Sequence, residues 1–276
     1  MTTVRVHVVG MRSGLDLAAN RGAALECVER AGDDGADLVV LPEYTSVFDP
    51  RGTPAERAEP LDGPFVAALL HAAAESDLVV VAGTLLPGSR PDRAVNAVVA
   101  VAPTGLLGVY RKVHLYDAYG HRESERLEAG APDADPVVVE VAGLRLGIMT
   151  CYDLRFPESA RRLVDAGATA IAVPAAWAAG EHKADQWRTL LRARAIENVV
   201  VVLGATQEGL GVTGSSMVVD PHGVVVGEAP DRFLLDGPSG LVTTCVVADI
   251  EPASVVAARE RNPSLDNRRY GVVPLS

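Results

Sequence analysis

The chain has few cysteines: Cys27, Cys151 and Cys245 are the only three in 276 residues. They are too few and too scattered for a disulfide framework, and the odd count fits reduced thiols. Basic residues are outnumbered, with 25 Lys and Arg against 36 Asp and Glu, a formal net charge of −11. That balance argues against nucleic acid or an anionic membrane surface as a partner, because both reward basic patches. An anionic small molecule would have to be met by local arginines. No apolar run reaches membrane-spanning length. The opening MTTVRVHVVGM also lacks a charged segment followed by a long apolar stretch and a small-residue cleavage site, so a soluble cytoplasmic protein is expected. The six histidines have no metal-ligand spacing, and no metal site is expected. Short tandem repeats and low-complexity tracts are missing too.

What is present is apolar: 48% of the residues are hydrophobic, enough for a large core. No linker argues for two domains, so residues 1–276 read as one. Valine-rich, strand-like runs at 4–9, 37–41, 78–84, 94–101 and 106–110 alternate with helical patterns at about 16–31 and 63–76. The second half repeats the theme, with strands at 137–141, 144–149, 169–173 and 199–205 and helices from Pro157 and over about 182–198. A hairpin about Pro221-His222, a strand over 241–248 and a short helix over 252–259 follow, with a loop at 237–240. Runs bounded by glycine and proline and alternating with helices describe an α/β fold in which sheets are covered by helices. Cys27 falls in a helical pattern and Cys245 in a strand pattern, as packing residues.

Three strand ends carry chemistry. The run 144–149 stops at Cys151, and Pro157 soon opens a helix, so the thiol sits on a strand-to-helix elbow. Such an elbow lifts a side chain out of the sheet toward the positive end of the following helix, where a thiolate is stabilised. A cysteine can equally serve as a small core hydrophobe. Glu43 is the first polar residue after the strand ending at Leu41, and Lys112 follows the strand ending at Tyr110. Reactive groups gather beyond the carboxyl ends of strands in such sheets, although a loop glutamate and a solvated lysine remain the plainer alternatives.

The segments Leu41-Pro42-Glu43-Tyr44, Tyr110-Arg111-Lys112-Val113-His114-Leu115, Thr150-Cys151-Tyr152-Asp153-Leu154-Arg155-Phe156-Pro157-Glu158, Arg192-Ala193-Arg194-Ala195-Ile196-Glu197-Asn198 and Ser216-Met217-Val218-Val219-Asp220-Pro221-His222-Gly223 resemble the nitrilase superfamily of carbon-nitrogen hydrolases. They stand in that family's order over nearly the whole chain. The resemblance implies a four-layer αββα sandwich, a Glu-Lys-Cys triad of Glu43, Lys112 and Cys151, and a second family glutamate at Glu123. It also implies no metal, no organic cofactor and pairing of sandwiches into a homodimer or higher homo-oligomer. Within the superfamily the likeness is to the branch of omega-amidase and deaminated glutathione amidase. Two positions depart from that branch: His121 stands where an aromatic residue is frequent, and Gln186 precedes Trp187 where a histidine is usual.

The resemblance implies an amidohydrolase that releases ammonia from a small amide through a cysteine thioester. Cys151 is then the nucleophile, Glu43 the proton carrier, and Lys112 with the backbone N–H of Tyr152 the oxyanion donors. Glu123 orients Lys112 or the substrate amide, unless it is a solvated loop carboxylate. Arg155, one turn past the cysteine, is a candidate for a substrate carboxylate, against an ion pair with Asp153 or Glu158. Trp177 walls the pocket or packs in the core, and Arg192, Arg194 and Glu197 form ion pairs on a long helix. Carbamoyl-amide hydrolysis or nitrile hydrolysis on the same triad, a papain-like pair of Cys151 with His114 or His182, and a catalytically silent scaffold are the rival readings.

Overall fold

A computed structural model describes residues 3–229, 235–236 and 242–274. The loop expected over 237–240 lies outside them. Among the described residues the strands form two sheets. The first contains β1 (Val4–Met11), β2 (Leu38–Val40), β3 (Val79–Pro87), β4 (Ala94–Ala102) and β5 (Gly105–Arg111). The second contains β6 (Val138–Val141), β7 (Leu144–Ile148), β8 (Ala170–Ala175), β9 (Val201–Thr206), β10 (Met217–Val219) and β11 (Val225–Glu228). β12 (Leu235–Asp236) and β13 (Val242–Ile250) return to the first sheet, whose order is β12-β13-β1-β2-β3-β4-β5; the second runs β11-β10-β9-β8-β7-β6. The pairs β1/β2, β2/β3, β7/β8 and β8/β9 are parallel, so several carboxyl ends in each sheet point the same way.

Two helices cover the first sheet, α1 (Leu17–Asp33) and α2 (Pro64–Ser76), and two cover the second, α3 (Pro157–Asp165) and α4 (Lys183–Asn198). Local chemistry sets their starts. The Asp16 carboxylate accepts from the Ala18 and Ala19 N–H groups at 2.9 and 3.0 Å, and proline opens α2, α3 and the C-terminal α5 (Pro252–Arg261). Between the sheets lies a core of Val4, Val6, Val8, Leu38, Leu144, Leu146, Ile148, Ala170 and Leu203. A second cluster joins α1 and α2 to the outer face of the first sheet, and a third joins α3 and α4 to the second sheet. Strands covered on both faces explain the near-continuous apolar runs. Each fully buried valine or leucine contributes roughly 1.5–3 kcal/mol of transfer free energy, so this four-layer core fixes the strand ends firmly. No helix among the described residues is long and apolar enough to cross a membrane.

Cys27 packs in the interface between α1 and the first sheet, and burial pushes its thiol up to about 12. Cys245 on β13 borders the same cluster and contacts His7 Nδ1 at 3.4 Å. On α4 the expectation of three ion-paired residues is half right. Arg194 pairs with Glu197 at 2.9 Å, whereas Arg192 donates to the Gly223 carbonyl instead.

Candidate active site

Glu43 leaves β2 on a turn whose next residue, Tyr44, has φ 59°. The carboxylate is 1% exposed and accepts three hydrogen bonds. Asn96 Nδ2 and Lys112 Nζ reach Oε1 at 2.7 and 2.9 Å, and the Ala176 N–H reaches Oε2 at 2.7 Å. Gly83 on β3 permits this close approach, since a Cβ there would lie 2.5 Å from the Glu43 Cα and 2.6 Å from the Pro42 carbonyl oxygen. Lys112, the residue after β5, is equally buried. Its ammonium also donates to both oxygens of Glu123, at 2.8 and 3.1 Å. Glu123 stands on a short 3-10 turn and is held further by the Tyr44 hydroxyl and the Tyr116 N–H, each at 2.8 Å. Burial acts against the Lys112 charge more than any single neighbour favours it. Glu123, Glu43, Cys151 and Tyr44 together still hold its pKa well above the ordinary lysine value.

Cys151 begins a 3-10 turn, Cys151–Arg155, between β7 and α3, with φ 48°. A non-glycine residue in this region stores roughly 1–3 kcal/mol and persists only where its surroundings over-determine it. Asp153 is that determinant. Fully buried, it accepts from the Thr150 N–H at 3.0 Å and the Tyr110 hydroxyl at 2.7 Å, and lies 2.7 Å from His114 Nδ1. The thiol lies close enough to Glu43, Lys112 and Glu123 to feel the charge of all three. The helix end expected to favour a thiolate is met here by opposing influences. Burial, and after it the Glu43 charge, raise the Cys151 pKa well above that of a free thiol, against the opposing pull of Lys112. Both influences act against the thiolate, so attack by sulfur calls for a base to take the thiol proton.

A narrow recess beside the thiol is lined by Tyr116, Tyr152, Arg155, Trp177 and Lys183, and it has room for only about 10 Å³. It adjoins a vestibule of about 920 Å³ that shares Tyr116, Ala176 and Ala178 with it and reaches out past His121 and Arg51. Trp177 does both things open to it: its ring belongs to the core cluster under α4 and also walls the recess. Arg155 makes no ion pair with Asp153 or Glu158. Asp153 is occupied as described, and the guanidinium instead donates to Gln186 Oε1 at 2.6 Å and lies 4.9 Å above the Trp177 ring. His121 stacks on Tyr116 with ring centroids 5.2 Å apart, so it occupies the aromatic position as a ring. His114 is held by Asp153 and lies flat on Phe156 at 3.8 Å, while His182 is 73% exposed beside Glu181. Neither is arranged as a base for the thiol. No three His, Cys, Asp or Glu side chains gather as a metal site among the described residues.

The structure thus brings Glu43, Lys112, Glu123 and Cys151 into one buried cluster and sets Tyr152, Arg155 and Trp177 beside it. Sequence reasoning passed over Asn96, the Ala176 N–H and Lys183. Asn96 did leave a signal, as the one amide in the apolar strand Ala94–Ala102.

Residues 5–260 match the family model described as Carbon-nitrogen hydrolase. The chain belongs to that family. It is 36% identical over 283 residues to a Mycobacterium tuberculosis protein named only as a hydrolase, covering 96% of this chain and 95% of that one. It is 34% identical over 243 residues to deaminated glutathione amidase of Escherichia coli O157:H7, covering 87% and 88%. A Xanthomonas campestris CN-hydrolase superfamily protein, solved with an arsenic adduct in its active site, superposes with a TM-score of 0.82 at 28% identity, over 99% of this chain and all of that one. As a carbon-nitrogen hydrolase the chain acts on C–N bonds other than peptide bonds, and its αββα sandwich is that of the nitrilase superfamily.

Proposed function

We propose that this carbon-nitrogen hydrolase cleaves a small, carboxylate-bearing amide to a carboxylic acid and ammonia through a thioester on Cys151. The observation that carries the reading is the buried Lys112 ammonium held between Glu43 and Glu123, at 2.9 and 2.8 Å, with the Cys151 thiol close enough to feel the charge of all three. Glu43 takes the thiol proton as sulfur attacks the amide carbonyl, and the oxygen gains the negative charge. Lys112 and the Tyr152 N–H, free at the first turn of its 3-10 segment, stabilise that oxyanion; one such donor is worth roughly 3–4 kcal/mol. The proton then passes from Glu43 to the departing nitrogen, leaving the thioester. Glu43 next deprotonates a water that attacks the thioester and returns the proton to sulfur. Glu123 acts through Lys112, keeping its ammonium aimed. Arg155 meets the carboxylate of the substrate; the E. coli relative named deaminated glutathione amidase supports an acid-bearing amide.

The test is ammonia release by wild type and Cys151→Ala over amides, carbamoyl amides and nitriles, half of each set carrying a distal carboxylate. Release from carboxylated amides, lost in the variant, is expected. Turnover confined to carbamoyl compounds or nitriles would refute the substrate class while leaving the cysteine chemistry intact.

A further inference from the structure

The catalytic reading leaves one wall of the recess without a task. Lys183, the first residue of α4, is only 6% exposed, yet no carboxylate pairs with it among the described residues. Lysine is rarely buried without an acid, because the ammonium loses its hydration and gains nothing in return. Its Nζ donates to the Tyr116 hydroxyl at 3.0 Å and lies 3.8 Å from the Tyr119 ring centroid and 5.8 Å from that of Trp177. Arg155, which lines the same recess, has no ion-pair partner among the described residues either. Gln186 holds one of its nitrogens through a neutral amide oxygen, which orients the guanidinium without cancelling its charge, and the buried Nε has no partner.

The charges around the thiol sum in a telling way. Glu43, Glu123 and Lys112 behind the thiol carry a net −1, while Arg155 and Lys183, both lining the recess, carry +2. A bound monoanion neutralises the whole pocket. Burial first, then the neighbouring Arg155, lower the Lys183 pKa, the direction expected of two cations held together without an anion.

We propose that Lys183 and Arg155 form a two-cation receptor for the substrate's distal carboxylate, and that Lys183 sets the preference for acidic over neutral amides. This rests on the amidase reading above. The recess has room for about one water molecule, too little for a carboxylate. Room comes from Tyr119, which is 69% exposed and covers the ammonium face in the free enzyme; the carboxylate displaces its ring and takes its place on the cation. The ligand class is therefore the monoamide of a short dicarboxylic acid, with the scissile carbonyl at Cys151 and the acid end between Lys183 and Arg155.

Two measurements test this. The first compares kcat and KM on the monoamides of succinate and glutarate with those on butanamide and pentanamide, for wild type, Lys183→Met and Lys183→Arg. Wild type prefers the acids; Lys183→Met shrinks the acid-to-neutral ratio of kcat/KM by about 30-fold or more, mainly through KM, and Lys183→Arg restores most of it. A wild type indifferent to the acid end, or a Lys183→Met that depresses both series equally, overturns the proposal and leaves the amidase reading standing. The second measures glutarate binding calorimetrically to Cys151→Ala and to Cys151→Ala/Lys183→Met. Binding that vanishes in the double variant supports the receptor even if no amide is turned over. Binding that is absent from Cys151→Ala, or equal in the two, overturns it.

Discussion

Replacing Glu123 by glutamine separates a residue that positions from one that moves protons. The side chain keeps its shape, and its amide oxygen can still accept from the Tyr44 hydroxyl, now 2.8 Å away. Its NH2 group then takes the place of Oε2 and faces both the Lys112 ammonium and the Tyr116 N–H, two donors from which the carboxylate now accepts at 2.8 Å. Breaking a buried ion pair by removing one partner costs roughly 3–5 kcal/mol. Because Lys112 retains Glu43, the lower end of that stability cost applies, about 3 kcal/mol; a mis-aimed Lys112 also forfeits roughly 3 kcal/mol of oxyanion stabilisation, which at 1.36 kcal/mol per decade is about a hundredfold loss in kcat. KM should change little, since Glu123 is asked to act on the oxyanion donor and not on the substrate's acid end. The pH profile carries a second signature. With Glu123 gone, burial of Lys112 is opposed mainly by Glu43, its pKa falls, and the alkaline limb of kcat moves to lower pH. Ammonia release against substrate and pH, with thermal unfolding as a check on folding, reads all of this. A kcat within threefold of wild type, or a loss fully matched by unfolding, would refute the role. Glu43→Gln removes the proton carrier and should fall much further, to near the Cys151→Ala background.

Two further outcomes follow from the same cluster. Burial and the Glu43 charge keep Cys151 protonated, so iodoacetamide should label it more slowly than a free thiol at neutral pH; Glu43→Gln should shift the labelling curve to lower pH by leaving Lys112 to favour the thiolate, and an unmoved curve would count against their coupling. Gly83→Ala drives a methyl group to 2.5 Å from the Glu43 Cα, so the turn must shift; we expect about 1–3 kcal/mol of lost stability by denaturant unfolding and at least a tenfold drop in kcat, and wild-type values for both would refute the close-approach account.

How much of this was legible in the chain depends on the kind of interaction. Valine-rich runs and proline- or aspartate-led helices report local burial and local capping, which composition and period encode, so the strands, the helices and the elbow at Cys151 came from sequence. Glu43, Lys112 and Cys151 were visible because each ends a strand and each sits in a family motif. Glu123 came only through the resemblance, as its 3-10 turn has no periodic signal. Arg155 was read as a candidate for a substrate carboxylate, but the residue that orients it was not foreseen, since Gln186 lies 31 residues away on another helix. For the thiol, the helix end was local and readable, whereas the burial and the Glu43 carboxylate that act against the thiolate arise only when the two sheets close on each other. The Ala176 N–H that steadies Glu43 is 133 residues distant and has no side-chain signature at all. Lys183 looks in sequence like any solvated lysine at a helix start. The sequence by itself determined the layers, the strand ends and the family, because those follow from period and motif. Tertiary structure alone decided which donors surround each carboxylate and which cations go unpaired, because only sheet-on-sheet packing sets non-local distances and strips away the water that would otherwise satisfy them.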